Sequence, residues 1–370
     1  MSLRLGLVRL KYEPGGGAEA TLDLLARGLA GRGHKVTVIA TAWQGQPPAG
    51  VRVRQVAASG RGARRLLGFA QAAGETAREL GLQVWLSLER TPGAPVLRAG
   101  DGVHAAWLER RRPYEGFLKR LSFGLNPLHR AFLDLERRAL THPDLRLVIA
   151  NSQLVAEELQ RFYGLGPERV RVIRNPVDQA RLDPARDPAV RLAARAELGL
   201  GEGQPALLFL GSGFERKGLA FAIRALAKLP EVRLLVAGRD RAAPYQRLAQ
   251  RLGVAGRVDF LGGRSDAPRL IAACDGLVLP TIYDPCANAC LEALHLGRPV
   301  ATTLANGASE LVRPGVNGTL VADPSDSAEL ARACQAILDL GWPVAAQLPP
   351  AELWLDQVER VLAQAAAISA

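Results

Sequence analysis

Apolar residues arrive along this chain in two alternating rhythms. Leu3 to Val8 is a short apolar run, and Gly15-Gly16-Gly17 follows. Leu22, Leu25 and Leu29 then recur at helical spacing before Gly31 and Gly33, and Val36 to Ala40 is again unbroken. Residues three or four apart share one helix face, whereas a short continuous run suits a strand buried on both sides. The pattern therefore predicts strand, glycine loop, helix and strand, the opening of a doubly wound parallel sheet. Further strands are predicted at 51–56, 84–88 and 145–150, and Ser152 stands where it would cap a helix after the last.

The rhythm breaks over 174–204, where Asn175-Pro176, Pro184, Pro188 and a glycine-rich stretch at 199–203 place a domain junction. It then restarts. Strands are predicted at 206–210, 233–237, 258–261, 276–279, 299–302 and 319–321, with a helix from about 217 to 229 after the first. A last helix, 351–367, follows Pro349-Pro350 and is expected to return to the first domain. The expected fold is α/β, with one domain over 1–175 joined by 351–370 and a second over 176–350. A chain of 370 residues suits two such cores.

Composition changes the picture little: 48% hydrophobic and 22% charged residues are ordinary for a globular protein. The cysteines, Cys274, Cys286, Cys290 and Cys334, include no CxxC pair. That argues against a disulfide framework and for a reducing compartment, with Cys286 and Cys290 as small apolar fillers. Arg4 and Arg9 interrupt the N-terminal apolar stretch, so no signal peptide is expected, and no run approaches the ~20 apolar residues of a membrane span. A cytoplasmic protein is expected.

The net charge of +11 has two readings, an arginine-rich composition or a basic surface for an anionic partner. The charges do cluster. Arg110-Arg111-Arg112, Lys119-Arg120 and Arg130 interleave with Phe117, Leu118, Leu121, Phe123 and Leu125, after Trp107. Segment 107–138 thus suits the anionic cytoplasmic face of an inner membrane or a phosphorylated lipid acceptor. An ordinary amphipathic helix with a solvated face fits the same pattern. No nucleic-acid-binding motif occurs, so nucleic acid is not an expected partner.

Two stretches carry candidate chemistry. Residues 211–218 read Gly-Ser-Gly-Phe-Glu-Arg-Lys-Gly between a predicted strand and helix, where backbone amides and a helix dipole converge on an anion. Arg216 and Lys217 in a first helical turn would oppose that dipole by about 0.3–1 kcal/mol each. A diphosphate bound between them removes the conflict; a solvated basic pair at a frayed helix end is the alternative. Residues 284–292 place Asp284 and Glu292 just over two helical turns apart. Both acids can then face one cleft and accept hydrogen bonds from sugar hydroxyls. A capping acid and a solvated helix acid satisfy the spacing equally.

These stretches, with His34-Lys-Val-Thr-Val, Ala-Asn151-Ser152, Arg174-Asn175-Pro176-Val-Asp178 and Val258-Asp-Phe-Leu-Gly262, resemble glycosyltransferase family 4 over nearly the whole length. The resemblance is greatest to its lipopolysaccharide core glucosyltransferase I group. It implies a GT-B architecture of two facing Rossmann-like domains, the first on the acceptor side and the second binding donor. It also implies a retaining hexosyltransferase acting on a nucleoside diphosphate sugar, with uridine diphosphate glucose the expected donor and a lipopolysaccharide core or related glycolipid the expected acceptor.

Arg216 and Lys217 would hold the donor diphosphate and Glu292 the ribose, while Asp284 stands where the family places the first acid of a Glu-x7-Glu pair, against the transferred sugar. Gly16 and Gly17 would bring backbone near the phosphate, with Gly211 on the cationic loop. Gly238 and Gly262 would border the nucleoside. Asp101 and His104, in Arg98-Ala-Gly-Asp101-Gly-Val-His104, resemble a polar pair presented to the reacting sugar, although a turn aspartate and a surface histidine read as well. No cofactor or metal is expected: the nearest approach to Asp-x-Asp, Asp134-Leu-Glu136, lies in a helical pattern. A non-catalytic nucleotide-sugar-binding or scaffold module and a GT-B epimerase are the alternatives. A nicotinamide oxidoreductase is not supported, because neither glycine loop completes Gly-x-Gly-x-x-Gly.

Overall fold

A computed structural model describes residues 2–13, 17–342, 345–346, 348 and 349–368, with the side chains of 17, 18 and 118 left aside. The chain divides into two compact units, 1–175 with 351–370 and 176–350.

Unit 1 is built on a seven-stranded sheet. In sequence its strands are β1 (Arg4–Val8), β2 (Lys35–Ala40), β3 (Val51–Gln55), β4 (Val84–Ser87), β5 (Val96–Ala99), β6 (Leu147–Ala150) and β7 (Val170–Val172). In space they run β3-β2-β1-β4-β5-β6-β7, with every paired neighbour parallel. Apolar side chains bury both faces. On one, Leu5, Leu7, Val36 and Val38 meet Leu22, Leu25 and Leu29 of the helix Gly17–Gly31. On the other, Val8 and Ile39 meet Phe69, Ala73 and Ala77 of the helix Gly62–Glu79.

The last helix, Ala351–Ala367, belongs to unit 1. Trp354, Leu355, Val358 and Leu362 complete the first of these cores. Gly28 lets the two helices close, since a Cβ there would lie 2.3 Å from Leu355 Cδ2. Arg32 pairs with Glu352, Asp356 and Glu359, and His34 Nε2 lies 2.8 Å from Glu359 Oε1.

Unit 2 repeats the plan with six strands: β8 (Ala206–Leu210), β9 (Arg233–Ala237), β10 (Val258–Gly262), β11 (Gly276–Leu279), β12 (Val300–Thr303) and β13 (Gly318–Val321). Their order is β10-β9-β8-β11-β12-β13, again parallel. Each unit therefore has the Rossmann order, and strand direction of travel reverses between β1 and β4 and between β8 and β11. Open sheets of this kind bind ligands at the carboxyl ends of strands beside that switch point.

The structure departs from the sequence expectations in three places. The helix expected over 217–229 spans only Leu219–Leu226, because Gly218 at φ +79° ends the preceding loop. Val96–Ala99 is a strand, so Arg98 lies inside the sheet and only the residues after Ala99 form the loop. β7 at 170–172 was not expected; three residues are too few to show a period. Ser152 does cap its helix, accepting from Val155 N at 3.2 Å. All four cysteines are buried and free.

Candidate functional site

At the unit 2 switch point the loop after β8 is sewn to the loop after β11. Ile282 N donates to Arg216 O at 2.9 Å and Thr281 Oγ1 to the same carbonyl at 3.0 Å. Gly218 allows this approach, since a Cβ there would sit 1.9 Å from Pro280 O. Lys217 Nζ donates to Asp284 Oδ2 at 2.7 Å, and Arg216 Nη1 lies 3.0 Å from the same oxygen while donating to Tyr283 O at 2.9 Å. Lys217 and Asp284 are buried, and Arg216 is about one-third exposed.

Asp284 is fixed by its backbone as well: its N donates to Ala305 O and its O accepts from Gly307 N, both at 2.9 Å. Burial raises its carboxyl pKa, but Lys217 and then Arg216 outweigh burial and leave it below the usual carboxylate range. One carboxylate thus faces two cations, and the group carries an excess of positive charge.

Two details of the sequence reading change here. Arg216 and Lys217 precede the helix rather than occupying its first turn, and each pairs with Asp284 there. The loop amides are also partly spent. Asp240 Oδ2 accepts from Gly213 N at 2.6 Å and Phe214 N at 2.5 Å, and Arg239 N donates to Ser212 Oγ at 3.0 Å. The cationic side chains of the loop, Arg216 and Lys217, are both held by Asp284. Asp240, 27 residues past Gly213, gave no local signal.

Gly211, Gly238 and Gly262 line up at the ends of β8, β9 and β10, joined by Gly211 N to Ala237 O at 2.8 Å and Gly238 N to Gly262 O at 2.9 Å. A Cβ on Gly238 would lie 2.6 Å from both Gly211 O and Phe214 Cε1, so this position needs glycine. Glu292 lies in the helix Asn288–His295 and pairs with Arg181. Burial raises its pKa, and Arg181 counteracts this.

In unit 1 the loop after β5 carries Asp101 and leads into the helix His104–Arg111. That helix has no side-chain cap of its own at Val103. Glu136, 2% exposed, supplies one from the helix Pro127–Leu140: it accepts from His104 N at 2.7 Å, Ala105 N at 3.3 Å, Tyr163 Oη at 2.7 Å and Arg90 Nε at 2.7 Å. Arg90 Nη2 also donates to Gly102 O at 3.0 Å. Glu136 of Asp134-Leu-Glu136 is thus a tertiary cap, while Asp134 is half-buried and pairs with Arg137 and Arg138.

Glu89, Arg90, Arg98, Asp101 and Glu136 line one cavity in this unit. His104 Nε2 lies 3.1 Å from His129 Nδ1, and its ring lies against Phe132. Burial, then Arg90, push the His104 pKa down to about 4, so the ring is neutral at physiological pH. His129 was not singled out from the sequence; only the fold brings it to His104. Gly16 lies outside the described residues, and Gly17 opens the first helix.

The basic segment 107–138 is not one helix but runs through parts of three, His104–Arg111, Phe117–Leu125 and Pro127–Leu140. Phe117, Leu121 and Leu125 are exposed by 72%, 56% and 77%, whereas Phe123 is buried. Lys119 and Arg111 both pair with Glu115. Among the described residues no helix is long and apolar enough to cross a membrane, and no cluster of His, Cys, Asp and Glu is arranged to hold a metal ion.

Comparison with known proteins agrees with this architecture. Residues 15–181 match the model described as Glycosyltransferase Family 4, and 204–339 match Glycosyl transferases group 1. The chain is 30% identical over 331 residues to the lipopolysaccharide glucosyltransferase WaaG of Escherichia coli, covering 86% of this chain and 85% of that protein. It is 36% identical over 202 residues to a D-inositol 3-phosphate glycosyltransferase of a Mycobacterium species, covering 52% of this chain and 45% of that one. The crystal structure of WaaG superposes with a TM-score of 0.79 at 26% identity, over 97% of this chain and 95% of that one. Anabaena HepE in complex with UDP-glucose superposes at 0.72 and 23% identity, over 98% and 100%, a likeness of fold.

Proposed function

The chain belongs to glycosyltransferase family 4, and from that premise we propose that it is a retaining, metal-independent hexosyltransferase. It moves glucose from uridine diphosphate glucose onto a lipopolysaccharide core or related cell-envelope glycan. Unit 2 takes the donor and unit 1 the acceptor. The observation that carries this is the pair Arg216 and Lys217, held at the unit 2 switch point by the single carboxylate of Asp284. A site with two cations, one internal anion and a tight glycine floor suits a diphosphate better than a neutral ligand. WaaG is a lipopolysaccharide glucosyltransferase and HepE was crystallised with UDP-glucose, which supports the choice of donor and acceptor.

In this reading the acceptor hydroxyl oxygen bonds to the anomeric carbon on the face from which diphosphate departs. The bond from that carbon to the β-phosphate oxygen breaks, and the hydroxyl proton passes to the departing phosphate. Arg216 and Lys217 stabilise the charge that grows there, and they do so without a metal. Glu292 accepts from ribose hydroxyls. Gly211, Gly238 and Gly262 leave room for the nucleotide. Asp284 stands at the sugar end of the cationic pair. Asp101 and the neutral His104 offer hydrogen bonds to sugar hydroxyls from unit 1.

The exposed Phe117, Leu121 and Leu125, beside Lys119 and Arg120, give the enzyme a peripheral hold on the anionic cytoplasmic face of the inner membrane. The protein is otherwise cytoplasmic. The direct test is transfer from uridine, adenosine and guanosine diphosphate glucose to a truncated lipopolysaccharide core, with and without EDTA, and NMR of the new linkage. An α-linked glucose made equally well in EDTA is expected. Donor binding without transfer to any core acceptor would point to a binding module, and an inverted linkage or metal requirement would overturn the mechanism.

A further inference from the structure

Glu292 and Arg181 form an ion pair that the chemistry above does not use. Arg181 comes from a short helix, Gln179–Leu182, just past the junction between the units, and is 111 residues from its partner. This helix is firmly placed. Leu182 is fully buried, Val177 bridges to Pro350, and Asp178 Oδ1 accepts from Arg181 N at 3.1 Å. The next turn is tied to the helix that carries Glu292, since Asp183 Oδ1 lies 2.9 Å from His295 Nε2 and Arg186 Nη2 donates to His295 O at 2.5 Å. The segment 178–186 thus runs along the helix Asn288–His295, with Arg181 meeting it at Glu292.

Glu292 is mostly buried, with its side chain 18% exposed. Arg181 engages Oε1. A carboxylate has about four lone-pair sites, so one guanidinium contact leaves capacity for a ligand. We propose that Arg181 is a positioning residue for nucleotide recognition: it fixes the rotamer of Glu292 so that this carboxylate accepts hydrogen bonds from a ribose diol. The inference rests on the reading of Glu292 as the ribose ligand. Charge and solvation support it. Burial drives Glu292 toward its neutral form, the Asp178 carboxylate pushes the same way, and Arg181 is the group that opposes both. A neutral Glu292 has one oxygen turned into a donor and is a poorer partner for two hydroxyls.

The competing explanation is a staple that only fastens 178–186 to the helix. The two differ in what they do to ribose selectivity and to its pH dependence. The experiment measures calorimetric affinities from pH 5 to pH 8 for whichever of uridine, adenosine or guanosine diphosphate binds the wild-type protein, beside its 2′,3′-dideoxy counterpart. The proteins are wild type, Arg181→Gln, Arg181→Lys and Glu292→Gln, each checked by melting temperature.

The wild type is expected to prefer the ribonucleotide about tenfold, as for hydrogen bonds to a charged group. Arg181→Gln should lose much of that preference, with the greater loss toward the acid end of the range, because burial then acts on Glu292 without the cation that opposes it. Arg181→Lys should restore it. Preference retained at every pH in Arg181→Gln, while Glu292→Gln loses it, would reduce Arg181 to a staple and leave the ribose reading intact. Preference retained in Glu292→Gln would remove the ribose reading itself. No diphosphate binding by the wild type would remove both.

Discussion

The two sheets reverse strand order at equivalent places, yet the charges gathered there have opposite excess. Beside β8 and β11, Asp284 stands between two cations, Arg216 and Lys217. Beside β1 and β4, Arg9 stands between two carboxylates, Glu19 and Glu89, at 3.3 and 3.2 Å, and Glu89 also accepts from Leu10 N at 3.0 Å. The same topology therefore gathers two cations on one carboxylate in unit 2 and two carboxylates on one cation in unit 1. The proposed donor is a polyanion, and the cationic surplus of unit 2 suits it.

The largest expected effect breaks the cationic side of this comparison. Lys217→Ala should slow transfer by about 10²–10³-fold, the range for removing one group that stabilises developing charge, read by steady-state kinetics at saturating acceptor. An unchanged rate would place the diphosphate elsewhere. In unit 1 the counterpart is stability rather than rate. Glu136→Gln leaves Arg90 without its carboxylate and weakens the cap on the helix His104–Arg111, and it should cost about 3 kcal/mol, read as a lowered urea midpoint. An unaltered midpoint would mean the carboxylate's four contacts contribute little.

A smaller effect sharpens the sign argument. Asp284→Asn removes the internal competitor for Arg216 and Lys217, so a nucleoside diphosphate without sugar should bind a few-fold more tightly, while transfer falls. If Asp284 acted only as a sugar ligand, diphosphate affinity would not change. The smallest effect concerns His104. Its folded pKa, about 4, lies below the ordinary 6.5 because burial and Arg90 disfavour the charged ring. The neutral ring's stabilisation is complete above pH 6.5 and is lost as pH falls from 6.5 toward 4. The melting temperature of His104→Phe should therefore decline less over that interval than that of wild type; parallel declines would assign the acid sensitivity to other groups.

The sequence exposed unit 2 better than unit 1 for a physical reason. In unit 2 the chemistry is local: Arg216 and Lys217 are neighbours in a glycine loop, Asp284 and Glu292 share one short stretch, and β8, β9 and β11 are largely apolar runs. β8, β9 and β11 accordingly match the expected bounds. In unit 1 the loop bearing Asp101 and His104 is shaped by Arg90, Glu136, Tyr163 and His129, which the fold gathers from three other parts of the chain. β5 was missed because its four residues include the buried Arg98, which breaks the apolar run. Even in unit 2 the partners that arrive from a distance, Asp240 on the loop amides and Arg181 on Glu292, left no local trace.

The measurement that bears most directly on the account is the affinity of the intact protein for a nucleoside diphosphate against the same nucleoside without phosphate, at low and high salt, in wild type and Lys217→Ala. The diphosphate should bind at least tenfold more tightly to wild type, lose that advantage in high salt, and lose most of it in Lys217→Ala. Equal binding of the two ligands, or an advantage that survives the substitution, would contradict a phosphate site at residues 216 and 217.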